Sequence, residues 1–167
     1  SAVKFVYKNG YILGTSPTTY EPATKLSRGM IVTILWRIEG KQRVEGESIF
    51  PDVKEDQYFY EAVKWAYENK IISGYDNGTF APNKSVTREE LVVILRNYTK
   101  KYRGIDTDSI KGDLTQFNDY TKISSYAVSA MEWAIGTEVI TGFADDNTIR
   151  CYSTATRDVA ASIIYKY

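Results

Sequence analysis

The sequence contains no histidine and a single cysteine, Cys151. Without histidine the chain lacks the commonest general base, the commonest metal ligand and the usual activator of a serine or cysteine nucleophile. One cysteine supports neither an intrachain disulfide nor a cysteine metal cluster. A charge surplus is missing too: 21 Lys+Arg balance 21 Asp+Glu, whereas a general binder of nucleic acid or anionic membrane shows a basic excess. Any anion recognition must therefore be local. The longest apolar runs, at 31–36 and 91–95, are far too short to span a bilayer, so no membrane insertion is expected. No secretion signal opens the chain, and Ser1-Ala2 reads as a cut edge rather than a native terminus.

What is present suffices for a packed core. Hydrophobic residues make up 43% of 167 residues, enough for one domain or a few small units sharing a core. Tyrosine is abundant, at 14 residues, which suits a protein that meets a wet, polar ligand surface.

The chain repeats itself. The run Ala2-Val3-Lys4-Phe5-Val6-Tyr7-Lys8-Asn9 aligns with Ala62-Val63-Lys64-Trp65-Ala66-Tyr67-Glu68-Asn69, and the same offset carries Gly14 onto Gly74, Pro22 onto Pro82 and Arg28 onto Arg88. A third copy follows: Trp133-Ala134 matches Trp65-Ala66, Val139-Ile140-Thr141-Gly142 matches Ile71-Ile72-Ser73-Gly74, and Thr156-Arg157-Asp158 falls on Thr87-Arg88-Glu89. Upstream, Phe50-Pro51-Asp52 matches Phe117-Asn118-Asp119, with no counterpart in the first copy. The repeats span approximately 1–40 (incomplete), 48–100 and 115–167. Each reads as helix, short apolar segment, loop, helix. In the second copy Asp56 is expected to cap a helix running to about Asn69. Ile71-Ile72 is a buried extended piece, and Asp76-Asn77-Gly78-Thr79 is a turn. A second helix covers Val86 to about Tyr98. Units this small must pack together to bury their apolar faces.

The helix start Val86-Thr87-Arg88-Glu89-Glu90-Leu91 holds one residue that helix chemistry does not explain. Thr87 is a good N-cap, Glu90 completes a capping box, and Val86 with Leu91 forms a hydrophobic staple. Arg88, however, places a cation at the positive end of the helix dipole, which costs a few tenths to about 1 kcal/mol. The capping glutamate lapses in the other copies, to Met30 and Val159, yet the arginine recurs as Arg28 and Arg157. Two explanations remain open on these grounds. One is a structural role, in an ion pair or across a neighbouring repeat's backbone. The other is capture of a carboxylate or phosphate by a guanidinium beside free helix N–H groups.

The run Phe50-Pro51-Asp52-Val53, Ala62-Val63-Lys64-Trp65-Ala66, residues 71–82 and Val86-Thr87-Arg88-Glu89-Glu90 resembles an S-layer homology motif, and three tandem copies extend the resemblance over nearly all of the chain. The resemblance implies a mainly α fold: three helix–loop–helix repeats in a pseudo-threefold spindle around a central helical bundle, with 1–167 as a single module. It implies a non-catalytic module, part of a larger secreted protein, that anchors it outside the cell to the wall or S-layer. The implied partner is a secondary cell-wall polysaccharide, often pyruvylated, bound in grooves between repeats, with Arg28, Arg88 and Arg157 in those grooves. A pyruvate ketal carries a carboxylate, which turns the arginine reading towards ligand capture. The first copy departs from the pattern at 14–20 and at Gly29-Met30, and the third at Arg150-Cys151, so the groove of the second copy is the one expected to be intact.

Further candidates each carry a bland reading beside the functional one. Trp65 and Trp133 are expected in the core, with sugar stacking as the alternative. Gly14, Gly74 and Gly142 suit a turn, or close approach of a ligand to the backbone. Asp52 and Asp119 are expected to cap local structure, or else to accept sugar hydroxyls. No cofactor or metal is expected: counting twelve residues from Asp76 reaches Thr87 instead of a glutamate, which rejects an EF-hand. The sequon Asn77-Gly78-Thr79 is explained by its turn. No carboxylate pair stands out for hydrolysis, so an enzyme is not expected. The alternative function is a structural module for protein–protein packing within a surface array.

Overall fold

The computed structural model describes residues 1–13 and 20–166; Gly14 therefore lies outside the described residues. The fold is mainly α, with no β-strand among the described residues. The described residues form six α-helices: α1 (Ala2–Lys8), α2 (Arg28–Ile38), α3 (Tyr60–Glu68), α4 (Arg88–Asn97), α5 (Val128–Gly136) and α6 (Arg157–Lys166). A π-helical turn, Tyr98–Tyr102, continues α4, and two 3-10 turns, Tyr120–Lys122 and Ser125–Ala127, precede α5.

The chain divides into two compact units. The first comprises Ser1–Val86 with Ala155–Tyr167; in it α1 packs against α6 and α2 against α3. Its core contains Leu26, Ile31, Leu35, Val63, Trp65, Ile71, Phe80 and Val86. The second unit, Thr87–Thr154, packs α4 against α5 and the 3-10 turn before it, around Leu91, Leu95, Met131, Trp133, Ala134 and Ile149.

The helix starts form as their residues dictate. Ser27 accepts the Met30 N–H ahead of α2, and Thr87 and Glu90 form a complete capping box on α4. Val86 and Leu91, the expected staple, are both buried. Asp56 does not cap α3, a departure from the sequence reading. The segment 54–57 closes a turn in which the Gln57 side chain takes the Lys54 N–H and Gln57 N–H donates to Lys54 O, so the helix begins only at Tyr60 with no side-chain cap.

The repeats agree in backbone conformation beyond the helices. Gly10, Lys70 and Glu138 follow the first helix of each repeat with φ of 69°, 58° and 56°. This left-handed cap turns the next residues back, so that Ile12, Ile72 and Ile140 donate to the carbonyls of Val6, Ala66 and Ala134. Glu21, Ala81 and Arg150 share a second left-handed position, with φ of 50°, 54° and 53°. Only the backbone conformation, and not the side chain, is common to those three.

Candidate functional site: the arginine junctions and an arginine-lined cleft

Arg28, Arg88 and Arg157 occupy the first residue of α2, α4 and α6. All three are buried. The helix N–H groups beside them are not open to an anion. Arg28 and Gly29 donate to Lys84 O and Pro82 O, Arg88 and Glu89 to Ser153 O and Cys151 O, and Arg157 and Asp158 to Thr24 O and Pro22 O. In α2 and α4 the third N–H goes to the capping hydroxyl. The free helix N–H groups expected from sequence are thus occupied, because each helix end is seated on a loop whose carbonyls point at it.

That seating explains the misplaced cation. Arg28 Nε donates to Phe80 O at 2.8 Å and its Nη2 to Ser73 O at 3.1 Å. Arg88 repeats the pattern, with Nε on Ile149 O and Nη2 on Thr141 O, both at 2.9 Å. Arg157 Nη2 donates to Leu13 O, the position equivalent to Ser73 and Thr141. Each guanidinium also lies on an aromatic ring: Arg28 on Tyr75 and Phe80 at 4.7 Å, Arg88 on Phe143 at 4.8 Å and Arg157 on Tyr20 at 4.9 Å. Two hydrogen bonds from a charged donor, roughly 1.5–3 kcal/mol each, outweigh a dipole penalty of about 1 kcal/mol at most. Only arginine has a rigid fork that reaches two carbonyls at once.

The backbone-spanning role therefore accounts for Nε and Nη2 of Arg28 and Arg88. Their Nη1 atoms have no hydrogen bond among the described residues. Arg157 differs, since its Nε is buried without a hydrogen-bond partner. Burial draws Arg88 below the usual arginine range, with Arg150 acting the same way and Asp119 opposing.

The other candidates sit in the frame of these junctions. Asp52 accepts the N–H groups of Phe80 and Ala81 at 3.0 and 2.7 Å, and Asp119 those of Ile149 and Arg150 at 2.8 and 2.9 Å. Each carboxylate thereby clamps the loop whose carbonyl receives an arginine. Gly74 and Gly142 are not turn glycines, contrary to the simplest sequence reading. A Cβ at Gly74 would lie 2.5 Å from the Phe50 ring, and one at Gly142 only 2.2 Å from the Phe117 ring. The Phe-x-Asp tripeptide thus works as one piece, its ring seated on the glycine and its carboxylate on the loop. Trp65 and Trp133 are 1% and 3% exposed, within the core.

A cleft of about 240 Å³ opens in the first compact unit, lined by Ile12, Leu13, Leu26, Met30, Thr33, Ile34, Arg37, Tyr58 and Arg157. It brings Arg157 together with the face of α2 that carries Met30, Thr33, Ile34 and Arg37, and with Tyr58. Among the described residues, two guanidiniums line it and no carboxylate does. Tyr58 as a residue is 57% exposed, yet partial burial raises the pKa of its hydroxyl, opposed by a hydrogen bond with Ser27 and by the charges of Arg37 and Arg157. Arg37 is drawn down by burial, with Tyr58 opposing. Of the nine described residues singled out from sequence, Arg157 alone lines this cleft. Arg37 and Tyr58 were missed. The spacing of Met30, Thr33, Ile34 and Arg37 at one helical face was the available signal, but it does not say which face lies beside a distant arginine.

The model of the S-layer homology domain matches residues 49–92 and 116–149. These two segments are S-layer homology domains. Among curated relatives it is 32% identical, over 84% of its length, to a surface-layer 125 kDa protein of Lysinibacillus sphaericus, of which it covers 11%. It is 29% identical over 97% of its length to an endoglucanase of Bacillus sp. (strain KSM-635), covering 17% of that protein. It is 23% identical over 92% to a cellulosome-anchoring protein of Acetivibrio thermocellus, covering 34%. The chain thus spans from about a tenth to a third of these relatives, and the endoglucanase matches through a minor part of its length. S-layer homology domains are non-catalytic anchoring domains that bind cell-wall polysaccharide, and the chain is a cell-surface anchoring module. No helix among the described residues is long and apolar enough to cross a membrane.

Proposed function

We propose that this module holds a larger secreted protein at the cell wall by binding an acidic, pyruvylated secondary cell-wall polysaccharide, with the ketal carboxylate at Arg157 in the cleft of the first compact unit. The observation that carries the reading is the lining of that cleft: two guanidiniums, one exposed tyrosine ring and apolar walls, with no carboxylate among them. A carboxylate on a sugar ring matches both halves of that lining, the charge with arginine and the ring face with Tyr58 and the aliphatic wall. Arg28 and Arg88, each with Nη1 outside its backbone contacts, are the corresponding residues of the other repeats, to be tested in the same way. The roles of Asp52, Asp119, Gly74 and Gly142 in this reading are indirect, in shaping the loops against which the arginines lie.

The test is co-sedimentation with purified cell-wall sacculi. The module is expected to pellet with intact sacculi, to stay in solution with polysaccharide-stripped sacculi, and to lose most of its retention after chemical removal of the ketal. Equal retention on stripped sacculi refutes polysaccharide binding; retention insensitive to the ketal refutes the carboxylate.

A further inference from the structure

We propose that Arg37 is a second anion-binding residue of this cleft, so that the cleft selects a saccharide with two acidic groups, one at Arg157 and one at Arg37. This rests on the polysaccharide reading and adds to it the charge of the ligand. Arg37 is half-buried and its one hydrogen bond among the described residues is long, from Nη1 to Tyr11 O at 3.4 Å. No carboxylate among the described residues pairs with it, and among them Tyr58 is its one charge partner. Four other cations have a carboxylate partner: Lys64 pairs with Glu61, Arg96 and Lys100 with Asp108, and Arg150 with Asp145 and Asp146, while Arg28 and Arg88 are each held by two backbone carbonyls. A partly desolvated guanidinium without a counter-ion is costly unless something supplies the anion.

The two arginines address the same space. Both line the cleft, and both act electrostatically on the Tyr58 hydroxyl, so two acids on one short saccharide can meet them together. Two sequence differences set this position apart from its equivalents. Arg37 aligns with Asn97 in the second repeat and Lys166 in the third, so the second guanidinium belongs to the first repeat alone. Met30 lines the cleft where the second repeat has Glu90, which keeps a carboxylate out of the wall. The departures at Gly29-Met30 that made the first copy look degenerate thus leave a cleft of one charge sign.

The experiment is calorimetric titration with two probes: a methyl hexoside bearing one pyruvate ketal, and the same sugar linked to a glucuronic acid. The native module is expected to bind the two-acid probe about tenfold more tightly, the worth of one additional charge-assisted contact at about 1.4 kcal/mol. Arg37→Gln should bring the ratio of two-acid to one-acid affinity near one; Arg37→Lys should retain part of the preference. Thermal unfolding of both variants at the native temperature establishes that the fold is unchanged, and a variant that unfolds earlier is replaced by Arg37→Met. Equal binding of both probes by the native module, or an undiminished preference in Arg37→Gln, overturns the assignment and leaves Arg37 as a contact to Tyr11 only. Binding of neither probe refutes the polysaccharide reading as well, so the two failures are distinguishable.

Discussion

Arg88→Ala tests the account of the recurring arginine most directly. The substitution removes two buried hydrogen bonds from a charged donor, to Ile149 O and Thr141 O, each at 2.9 Å. At roughly 1.5–3 kcal/mol each, their loss amounts to about 3–6 kcal/mol. Relief of the cation at the helix N-terminus returns up to about 1 kcal/mol, and water entering the vacated space returns more by solvating the two carbonyls. A net destabilisation of about 2–4 kcal/mol is expected. Arg88→Lys should recover less than half of this, because an ammonium on a flexible stem does not span both carbonyls in the plane of a guanidinium. The measurement is urea unfolding followed by tryptophan fluorescence: Trp133 is buried in the same compact unit and reports its transition. Arg150→Ala is the comparison: it loses two ion pairs with exposed Asp145 and Asp146 and its stacking on the Phe143 ring, but no hydrogen bond to a buried carbonyl, and should shift the midpoint much less. A loss below about 1 kcal/mol for Arg88→Ala, or full rescue by lysine, would refute the two-carbonyl account and return the arginine to a purely ligand-directed role.

Two further outcomes follow from the packing and from the tyrosines. Gly142→Ala places a methyl group 2.2 Å from the Phe117 ring, so the ring must move; a loss of about 1–3 kcal/mol is expected, partly restored by Phe117→Leu, and a neutral Gly142→Ala in urea unfolding would show that the ring yields freely. Burial raises the pKa of Tyr20 and Tyr58 above the ordinary tyrosine value of 10.0. An acid whose folded pKa is raised stabilises the fold fully below its unfolded pKa and loses that contribution as pH rises through the folded one. The module should therefore lose stability above about pH 10, and tyrosinate absorbance in Tyr58→Phe should lack one late-titrating group; titration of every tyrosine at the unfolded value would contradict this.

Much of the site's framework was legible in the chain. The capping box at Thr87 and Glu90, the staple of Val86 and Leu91, the turn at Asn77-Gly78 and the core positions of Trp65 and Trp133 are local or periodic features, fixed by hydrogen-bond rules within a few residues and by helical spacing. Comparison of the three repeats also isolated the arginine as the residue that helix chemistry alone does not require. Its destination was not legible. Arg28 reaches carbonyls 45 and 52 residues away, Arg88 reaches carbonyls 53 and 61 residues away, and backbone carbonyls carry no side-chain signature. Asp52 looked like a local cap but clamps a loop 28 residues on, and Gly74 looked like a turn but lies under Phe50. Arg37 drew no notice in the sequence, because a helical face says nothing of what packs beside it. The amino-acid order by itself determined the repeats, the helices and the identity of the recurring cation. Only the tertiary structure decided which atoms that cation holds, which helix N–H groups are already bonded, and which second arginine shares its cleft. Those depend on segments brought together by burial across repeats, where no local rule reaches.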